Sequence, residues 1–182
     1  CGLWGGISLN RLLDKFPSQN SYAMVKSAPH QLAAILFTSG STGPAKGVLF
    51  SHGIFNHQVR ILQEQFDIQP DETDLPTFPL FGLFSSGLGM TSIIPDMDST
   101  KPAHVDPKNI IVPIQNFKIS SSFGSPALWD TVSQYCLDQN IELPTLKRII
   151  MAGGPVSGDL LARFETIIDK GCKIYTPYGA TE

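Results

Sequence analysis

Residues 33–50 read AAILFTSGSTGPAKGVLF, and this stretch decides how the chain is expected to fold. The apolar run at 33–38 predicts a buried strand, and the run at 47–50 predicts a second one. Residues 39–46 lie between them and are rich in glycine, serine, threonine and proline, which is typical of a loop. The pattern therefore predicts two strands that are joined by a glycine- and hydroxyl-rich loop.

The rest of the chain alternates short apolar runs with longer amphipathic ones. Further strands are expected at residues 75–78, 91–94, 119–123, 148–152 and 173–175. Helices are expected at residues 52–66, 106–117, 126–139 and 157–170. This alternation predicts an α/β fold with a mostly parallel sheet and flanking helices. Ligands bind at the carboxyl ends of such strands, so the loops at 39–46, 124–126 and 153–155 form a site if they converge.

Composition and charge narrow the class of protein. The chain has 182 residues, of which 42% are hydrophobic and 16% charged, and this is typical of one globular unit. A net charge of −3 argues against a nucleic-acid ligand, because proteins that bind phosphate backbones are usually basic. The three cysteines are widely spaced and indicate neither disulfides nor a zinc site, which fits a reducing cytoplasm. We find no apolar run of the roughly 20 residues that a transmembrane helix needs, and no signal peptide.

The loop has the chemistry that a triphosphate requires. Residues 38–47 contain four hydroxyl side chains, three glycines and one lysine. Glycines let backbone N–H groups approach oxygen atoms closely, hydroxyls donate hydrogen bonds, and Lys46 supplies a positive charge. Gly47 follows Lys46, so the loop differs from the common phosphate loop that ends in Gly-Lys-Ser/Thr. A flexible linker between two strands is the alternative interpretation.

Two motifs carry a family resemblance. The string TSGSTGPAKGV closely resembles the phosphate-loop signature of the adenylate-forming superfamily, which includes acyl-CoA synthetases, fatty acyl-AMP ligases, luciferases and peptide-synthetase adenylation domains. YGATE at residues 178–182 resembles that superfamily's Tyr-Gly-x-Thr-Glu motif, and GGP at 153–155 resembles its adenine-side loop more loosely. The resemblance covers residues 31–182 and leaves 1–30 as a lead-in segment of uncertain structure. It implies a partial AMP-binding domain without the small C-terminal domain.

The resemblance also implies roles for individual residues. It assigns the β- and γ-phosphates of ATP to Thr38, Ser39, Gly40, Ser41, Thr42, Gly43 and Lys46. It places Gly153, Gly154, Pro155, Tyr178 and Gly179 around the nucleotide, with the Tyr178 ring stacked on adenine. Thr181 would contact the α-phosphate and Glu182 would bind Mg²⁺, so Lys46, Thr181 and Glu182 are the catalytic candidates. The implied reaction is attack of a carboxylate on the α-phosphorus, which gives an acyl-adenylate and pyrophosphate. Read alone, Tyr178 favours core packing and Glu182 a surface carboxylate.

The motif FPLFGLF at residues 78–84 lies where the family builds its acyl pocket. The candidate wall consists of Phe78, Phe81, Gly82, Phe84, Gly124 and Ser125, because apolar walls bind an alkyl chain by excluding water. Ordinary core packing is the alternative. Many acyl-CoA synthetases have a histidine where this chain has Gly82, which puts a histidine gate in doubt and leaves more room for substrate.

A narrower likeness concerns the substrate. FPLFGLF, IPDMD at 94–98, FGSPA at 123–127 and TPYGATE at 176–182 together resemble the olefin-biosynthesis β-lactone synthetases, which act on long-chain β-hydroxy acids. This likeness implies a small-molecule carboxylate substrate of the fatty acyl type. The final acceptor stays open between an internal hydroxyl, CoA and a carrier protein.

Two hypotheses follow for the chain as a whole. In the first, it is the nucleotide side of an ATP-dependent ligase. The family places its ribose-binding aspartate, hinge and catalytic lysine after the last motif, so this chain is expected not to complete adenylation by itself. In the second, it is a non-catalytic nucleotide-binding or interaction module with the same fold.

Overall fold

The computed structural model describes residues 8–15, 23–38 and 43–179, and the fold is given for these residues. The strands are β1 (Leu32–Phe37), β2 (Gly47–Ser51), β3 (Thr73–Pro76), β4 (Thr91–Ser92), β5 (Ser121–Gly124), β6 (Arg148–Met151) and β7 (Lys173–Tyr175). The helices are α1 (Leu9–Lys15), α2 (His52–Phe66), α3 (Phe81–Gly87), α4 (Lys108–Phe117), α5 (Pro126–Gln139) and α6 (Gly158–Ile167), with a 3₁₀ turn at Pro102–His104. Within the described part of the chain, no helix is long and apolar enough to cross a membrane.

Five strands form a parallel sheet in the order β4-β3-β5-β6-β7. Helices α3 to α6 lie in the connections between consecutive strands, as parallel pairing requires. The carboxyl ends of all five strands therefore lie on the same edge of the sheet, which we call the carboxyl edge. The expected α/β class with a mostly parallel sheet is confirmed.

The first two strands form a separate antiparallel hairpin. β1 and β2 pair with Ile35 opposite Leu49 and Phe37 opposite Gly47. The connection between them is shorter than the dozen or more residues that a parallel crossover needs, so they turn back on each other. The loop at 39–46 is consequently the tip of a hairpin, and it does not lie at the end of a strand in the parallel sheet.

The bend expected after the strand at 75–78 is a helix. The strand ends at Pro76, and α3 begins at Phe81, after hydrogen bonds from the Phe81 and Gly82 amides to the Phe78 and Pro79 carbonyls. Proline starts helical turns well because its fixed φ suits the first turn, and this effect outweighs the glycine at position 82.

Smaller differences affect other element ends. The strand expected at 91–94 is only Thr91–Ser92, and that expected at 119–123 is Ser121–Gly124. The helix expected to run to 170 stops at Ile167, because the Ile167 carbonyl accepts a hydrogen bond from the Leu143 amide and the chain becomes extended at Ile168.

The main hydrophobic core packs helices α4, α5 and α6 against the parallel sheet. It is built on fully buried side chains from α4, α5, α6 and the central strands, including Ile110, Ile114, Leu128, Trp129, Ile149, Met151, Leu160 and Phe164. Ser125 and Ser157 cap α5 and α6, and their hydroxyls accept from the Leu128 and Leu160 amides. Both helices therefore start at fixed points beside the carboxyl edge.

Candidate nucleotide and acyl site

Thr38 and Lys46 close the base of the hairpin loop. The Thr38 amide donates to the Lys46 carbonyl, and the Lys46 amide donates to Thr38 Oγ1, both at 3.0 Å. The Thr38 hydroxyl therefore accepts a hydrogen bond within the protein. Gly43 and Lys46 are exposed. Ser39, Gly40, Ser41 and Thr42 lie outside the described residues, so their contacts with phosphate stay a prediction.

An aromatic row connects this hairpin to the parallel sheet. We use this name for Phe50, Phe55, Phe84, Phe81 and Phe123. Successive ring centroids are 5.4, 5.9, 6.1 and 3.8 Å apart, and the last pair is stacked. Such pairs contribute more than their buried area alone. The row runs from β2 through α2 and α3 to β5, so it joins the loop-bearing hairpin to the carboxyl edge.

Helix α3 carries the predicted acyl-pocket side chains. Phe78 is 45% exposed and its ring lies 5.9 Å from that of Phe81. Phe81 and Phe84 are half-buried within the aromatic row. A Cβ placed on Gly82 would lie 3.3 Å from the Ile94 side chain, so Ile94 bounds the space that this glycine leaves. The structure thus brings the predicted aromatic side chains together beside a surface that remains partly open to solvent.

Two of the predicted loops converge at the carboxyl edge. Ser125, Gly153, Gly154 and Pro155 line one concavity of about 430 Å³. The Ala152 amide donates to the Gly124 carbonyl at 3.3 Å, which holds the two loops side by side. Pro126 and Ala127 of the predicted 123–127 segment also line the concavity. The lining is completed by residues that the sequence did not single out for a site, namely Pro102, Asp130, Ser157 and Leu160.

Backbone geometry explains two of the glycines at this edge. Gly153 has a φ of 93°, a conformation that residues with a side chain rarely adopt. Gly124 is needed for packing, since an added Cβ would lie 2.7 Å from Trp129 Nε1 and 3.1 Å from Thr77 Oγ1. Trp129 Nε1 is buried and has no hydrogen-bond partner within the described residues. The absence of a side chain at Gly124 therefore lets the Trp129 ring pack directly against β5.

The segment after β7 presents its tyrosine to solvent. The side chain of Tyr178 is fully exposed, and Gly179 is exposed as well. The core-packing alternative for Tyr178 thus has no support here. Thr181 and Glu182 lie outside the described residues. The approach of this segment to the hairpin loop stays a prediction.

The donor set fits a polyphosphate. It combines hydroxyls, glycine backbone and the exposed ammonium of Lys46. In the described ranges, no group of three or more His, Cys, Asp or Glu side chains could hold a metal ion. Mg²⁺ typically takes one or two carboxylates together with phosphate oxygens, so a single carboxylate such as Glu182 fits that chemistry.

Two buried carboxylates escaped the sequence interpretation. Asp74 is 6% exposed and accepts a 2.6 Å hydrogen bond from Ser85 Oγ. Burial raises the pKa of Asp74, although hydrogen bonds from Ser85 and Ser121 act to lower it. Glu72 forms a buried ion pair with Arg148 at the amino edge of the sheet. Asp74 lies one residue before the strand expected at 75–78, whereas β3 begins at Thr73, so the sequence pattern did not indicate that this carboxylate is buried.

The chain thus combines a parallel sheet, two loops that meet at its carboxyl edge, and a preceding hairpin whose connection is rich in hydroxyls and glycine. The family model described as "AMP-binding enzyme" matches residues 8–182, and the chain belongs to that family.

Curated relatives share this region of sequence. The olefin beta-lactone synthetases of Xanthomonas campestris pv. campestris and of Stenotrophomonas maltophilia are each 41% identical to the chain over 179 residues. The match covers 98% of this chain but only 31% and 32% of those proteins. A long-chain-fatty-acid–CoA ligase from Thermus thermophilus is 25% identical over 149 residues, which are 80% of this chain and 27% of that protein. The chain thus spans about a third of its relatives' length.

Solved structures share this fold. The nonribosomal peptide synthetase FmoA3 in its AMPPNP-bound form superimposes with a TM-score of 0.73 at 17% identity, covering 88% of this chain and 17% of that one. The inhibitor-bound N-terminal domain of FACL13 from Mycobacterium tuberculosis gives 0.72 at 20% identity, covering 95% and 43%.

Proposed function

We propose that this chain is the nucleotide-side part of an ATP-dependent ligase that activates a carboxylic acid as its acyl-adenylate and releases pyrophosphate. The observation that carries the proposal is the hairpin loop, whose base is pinned by Thr38 and Lys46 and whose sequence is a phosphate-loop signature. The 41% identity to two olefin beta-lactone synthetases over 98% of the chain supports it. In domain terms, residues 31–182 form part of an AMP-binding domain, and residues 1–30 lead into it.

The loop binds the triphosphate. The Lys46 ammonium and the hydroxyls of Thr38, Ser39, Ser41 and Thr42 neutralise and orient the β- and γ-phosphates, and the glycines let backbone N–H groups reach the same oxygens. Thr181 contacts the α-phosphate. Glu182 is the residue that would hold Mg²⁺, and the ion would supply charge neutralisation there. Catalysis in this scheme consists mainly of positioning and electrostatic stabilisation.

The carboxyl edge receives the rest of ATP and the acid. Gly153, Gly154 and Pro155 line one side of the adenine, and the exposed ring of Tyr178 stacks on the other. Phe78, Phe81 and Phe84 on and before α3 form the apolar wall for an alkyl chain, with Gly82, Gly124 and Ser125 beside them. The substrate carboxylate then attacks the α-phosphorus, and pyrophosphate leaves.

The substrate class follows from the named relatives and the apolar wall. We favour a fatty or β-hydroxy fatty acid whose own hydroxyl then attacks the activated carboxyl to close a β-lactone. Thioester formation with CoA or a carrier protein is the alternative acceptor step, and relatives with those names share 25–29% identity with the chain. We place the reaction in the cytoplasm, where ATP and reducing conditions suit the free cysteines Cys136 and Cys172.

A pyrophosphate-release assay on the full-length protein tests the proposal. With Mg-ATP, a β-hydroxy fatty acid should give steady pyrophosphate release and a product that mass spectrometry identifies as a β-lactone or a thioester. Lys46→Met should reduce kcat/KM by roughly a hundredfold or more, because it removes the loop's cation. Lys170→Met, at an exposed lysine between α6 and β7 on the amino edge of the sheet, is the matched control and should leave the rate unchanged.

The competing hypothesis is a non-catalytic nucleotide-binding or interaction module. Under that hypothesis Mg-ATP binds in calorimetry, but no carboxylic acid elicits pyrophosphate release. A Lys46→Met variant that forms acyl-adenylate as fast as the unsubstituted protein would overturn our assignment of the phosphate loop.

A further inference from the structure

Helix α3 is short and has no side-chain cap, so few interactions within the helix stabilise it. It has seven residues, and its N-cap residue, Leu80, makes no side-chain capping bond. Ser85 is its one buried residue, whereas Leu83 on the same helix is 70% exposed. Such a short helix is marginal without tertiary contacts. The contacts that hold α3 are therefore the rings of Phe81 and Phe84 in the aromatic row and the hydrogen bond of the buried Ser85.

The group that holds Ser85 is a buried carboxylate. Ser85 Oγ lies 2.6 Å from Asp74 Oδ2, and the two residues are 2% and 6% exposed. The Phe81 carbonyl is a second, more distant acceptor at 3.2 Å. A hydroxyl has one hydrogen, and a charged oxygen at the shorter distance is the stronger acceptor. The main bond thus runs from α3 to the middle of β3.

Serines on both neighbouring strands extend this polar contact. Asp74 pairs in register with Ser92 on β4 and with Ser121 on β5, and the Ser121 hydroxyl acts to lower the pKa of the carboxylate. Ser92 Oγ is buried without a partner within the described residues, and it lies 3.6 Å from the position of a Cβ on Gly82. Asp74, Ser85, Ser92 and Ser121 therefore form a polar layer beneath α3.

This layer is poorly explained by stability alone. Burial of the carboxylate opposes folding, as the raised pKa of Asp74 indicates, and an apolar residue of similar size would pack the helix at least as well. A hydrogen bond differs from apolar packing because it fixes direction and distance. The layer therefore sets the orientation of the helix.

We propose that Asp74 and Ser85 are positioning residues that fix the rotation and depth of α3, and through it the place of the Phe81 ring, in the acyl pocket. The inference rests on the proposed function. The Phe81 ring stacks on Phe123 at 3.8 Å, one turn before Ser85 on the same helix. Rotation of α3 would move Phe81 and Gly82 together, so the polar layer determines which acyl chain lengths the wall accepts.

The test compares two adjacent serines in the full-length enzyme. Ser85→Ala removes the bond to Asp74, whereas Ser86→Ala removes only an exposed bond within α3 to the Gly82 carbonyl. Pyrophosphate release is measured with saturating Mg-ATP over fatty acids of increasing chain length. For Ser85→Ala we expect KM for the preferred acid to rise roughly tenfold, with kcat within about twofold and a broader length preference. Ser86→Ala should match the unsubstituted enzyme, and KM for ATP should not change in either variant.

Asp74→Asn is the second variant, because it keeps the shape of the side chain and removes its charge. It should broaden the length preference in the same way as Ser85→Ala. An unchanged length profile in both variants overturns the proposal. So does a uniform loss of kcat at every length together with a higher KM for ATP, since that pattern indicates general disruption.

A readout without catalysis separates this inference from the proposed function. Hydrogen exchange of a peptide spanning residues 80–88 should become roughly tenfold faster in Ser85→Ala than in Ser86→Ala, because a loosened α3 opens locally. If no acid is adenylated by the unsubstituted enzyme, the proposed function fails and the exchange rates still report on α3. Equal exchange in the two variants overturns the positioning role.

Discussion

The guanidinium of Arg148 and the carboxylate of Glu72 form a buried ion pair, with 3.1 Å between Nη1 and Oε2. Arg148 also donates from Nε to the Phe66 carbonyl at 2.7 Å and from Nη2 to the Asp67 carbonyl at 2.8 Å. Arg148 opens β6, Glu72 precedes β3, and Phe66 ends α2. One side chain thus ties the end of α2, with the hairpin that precedes it, to the amino edge of the sheet.

Arg148→Met should lower the free energy of unfolding by about 3–5 kcal/mol, because it leaves the Glu72 carboxylate buried without its partner. Urea unfolding monitored by circular dichroism measures the change. Asp130→Asn is the matched control, since Asp130 pairs with Arg163 but is 63% exposed. Its effect should stay within about 1 kcal/mol. An equal loss of unfolding free energy in the two variants would mean that the buried pair stabilises the fold no more than the exposed pair does.

Glu72 should contribute to the loss of the protein's stability at acid pH. Burial acts to raise the pKa of Glu72, but the hydrogen bond and charge of Arg148, with hydrogen bonds from Gln69 and Ser120, hold that pKa below its ordinary value of 4.5. A lowered folded-state pKa stabilises the fold above the unfolded-state value, and this stabilisation is lost as the pH falls through the folded-state value. Between about pH 7 and about pH 3, the free energy of unfolding should therefore fall less in the Glu72→Gln variant than in the unsubstituted protein. Parallel stability–pH curves for the two proteins would contradict this linkage.

Gly124→Ala should destabilise the protein by about 1–3 kcal/mol, because the new methyl group would lie 2.7 Å from Nε1 of the fully buried Trp129. Gly158→Ala, at a helical glycine with no atom within 4 Å of the new Cβ, is the control and should be neutral or stabilising by up to about 1 kcal/mol. Thermal unfolding of both variants provides the comparison. In a Trp129→Phe background the Gly124→Ala effect should shrink, and an undiminished effect would rule out the contact with Trp129 as its cause.

Thr38→Val should raise KM for ATP in the full-length enzyme and should have little effect on the stability of the fold. The substitution removes the oxygen that accepts from the Lys46 amide, and thereby loosens one end of the loop. We expect KM for ATP to rise roughly tenfold. Global stability should change by less than about 1 kcal/mol, because the Lys46 amide can turn to water. Thr38→Ser keeps the hydroxyl and should behave like the unsubstituted enzyme, and a matching loss in Thr38→Ser would show that the methyl group matters instead.

The thiols of Cys136 and Cys172 should resist alkylation in the native state. Burial raises the pKa of each thiol to about 11. At about pH 8 only about one thiol in a thousand is then ionised, and the thiolate is the reactive form. Iodoacetamide labelling, followed by mass spectrometry of the two peptides, should be roughly a hundredfold slower in the native protein than in urea. Equal labelling rates in the two conditions at either cysteine would contradict its protection.

Periodicity was a reliable guide where one face of an element is buried. The bounds of α2, α5 and β7 agree with the sequence pattern, because apolar spacing, the serine caps and the following turns all indicate the same ends. The pattern failed at 78–84, where three phenylalanines, two leucines, a proline and a glycine gave no period. Those side chains form a helix because the preceding prolines start a turn and Ser85 finds a carboxylate on another strand.

The candidate site was predicted in part. Local sequence identified the hairpin loop and the glycines at 153–154, because glycine, hydroxyl and lysine in close spacing have few structural uses. It did not identify Asp74, whose hydrogen-bond partner Ser85 and register neighbours Ser92 and Ser121 lie on three other elements. Contacts of that kind depend on strand register, which residue spacing along the chain does not specify.

The sequence alone thus determined the α/β class and the family, because each depends on the order of residues within a short window. Tertiary structure alone decided that the first two strands form their own hairpin, that Ser125 shares a concavity with Gly153, Gly154 and Pro155, and that Asp74 lies beneath α3. The physical reason is that hydrogen bonding and burial act through space, and they join residues whose separation along the chain carries no signal.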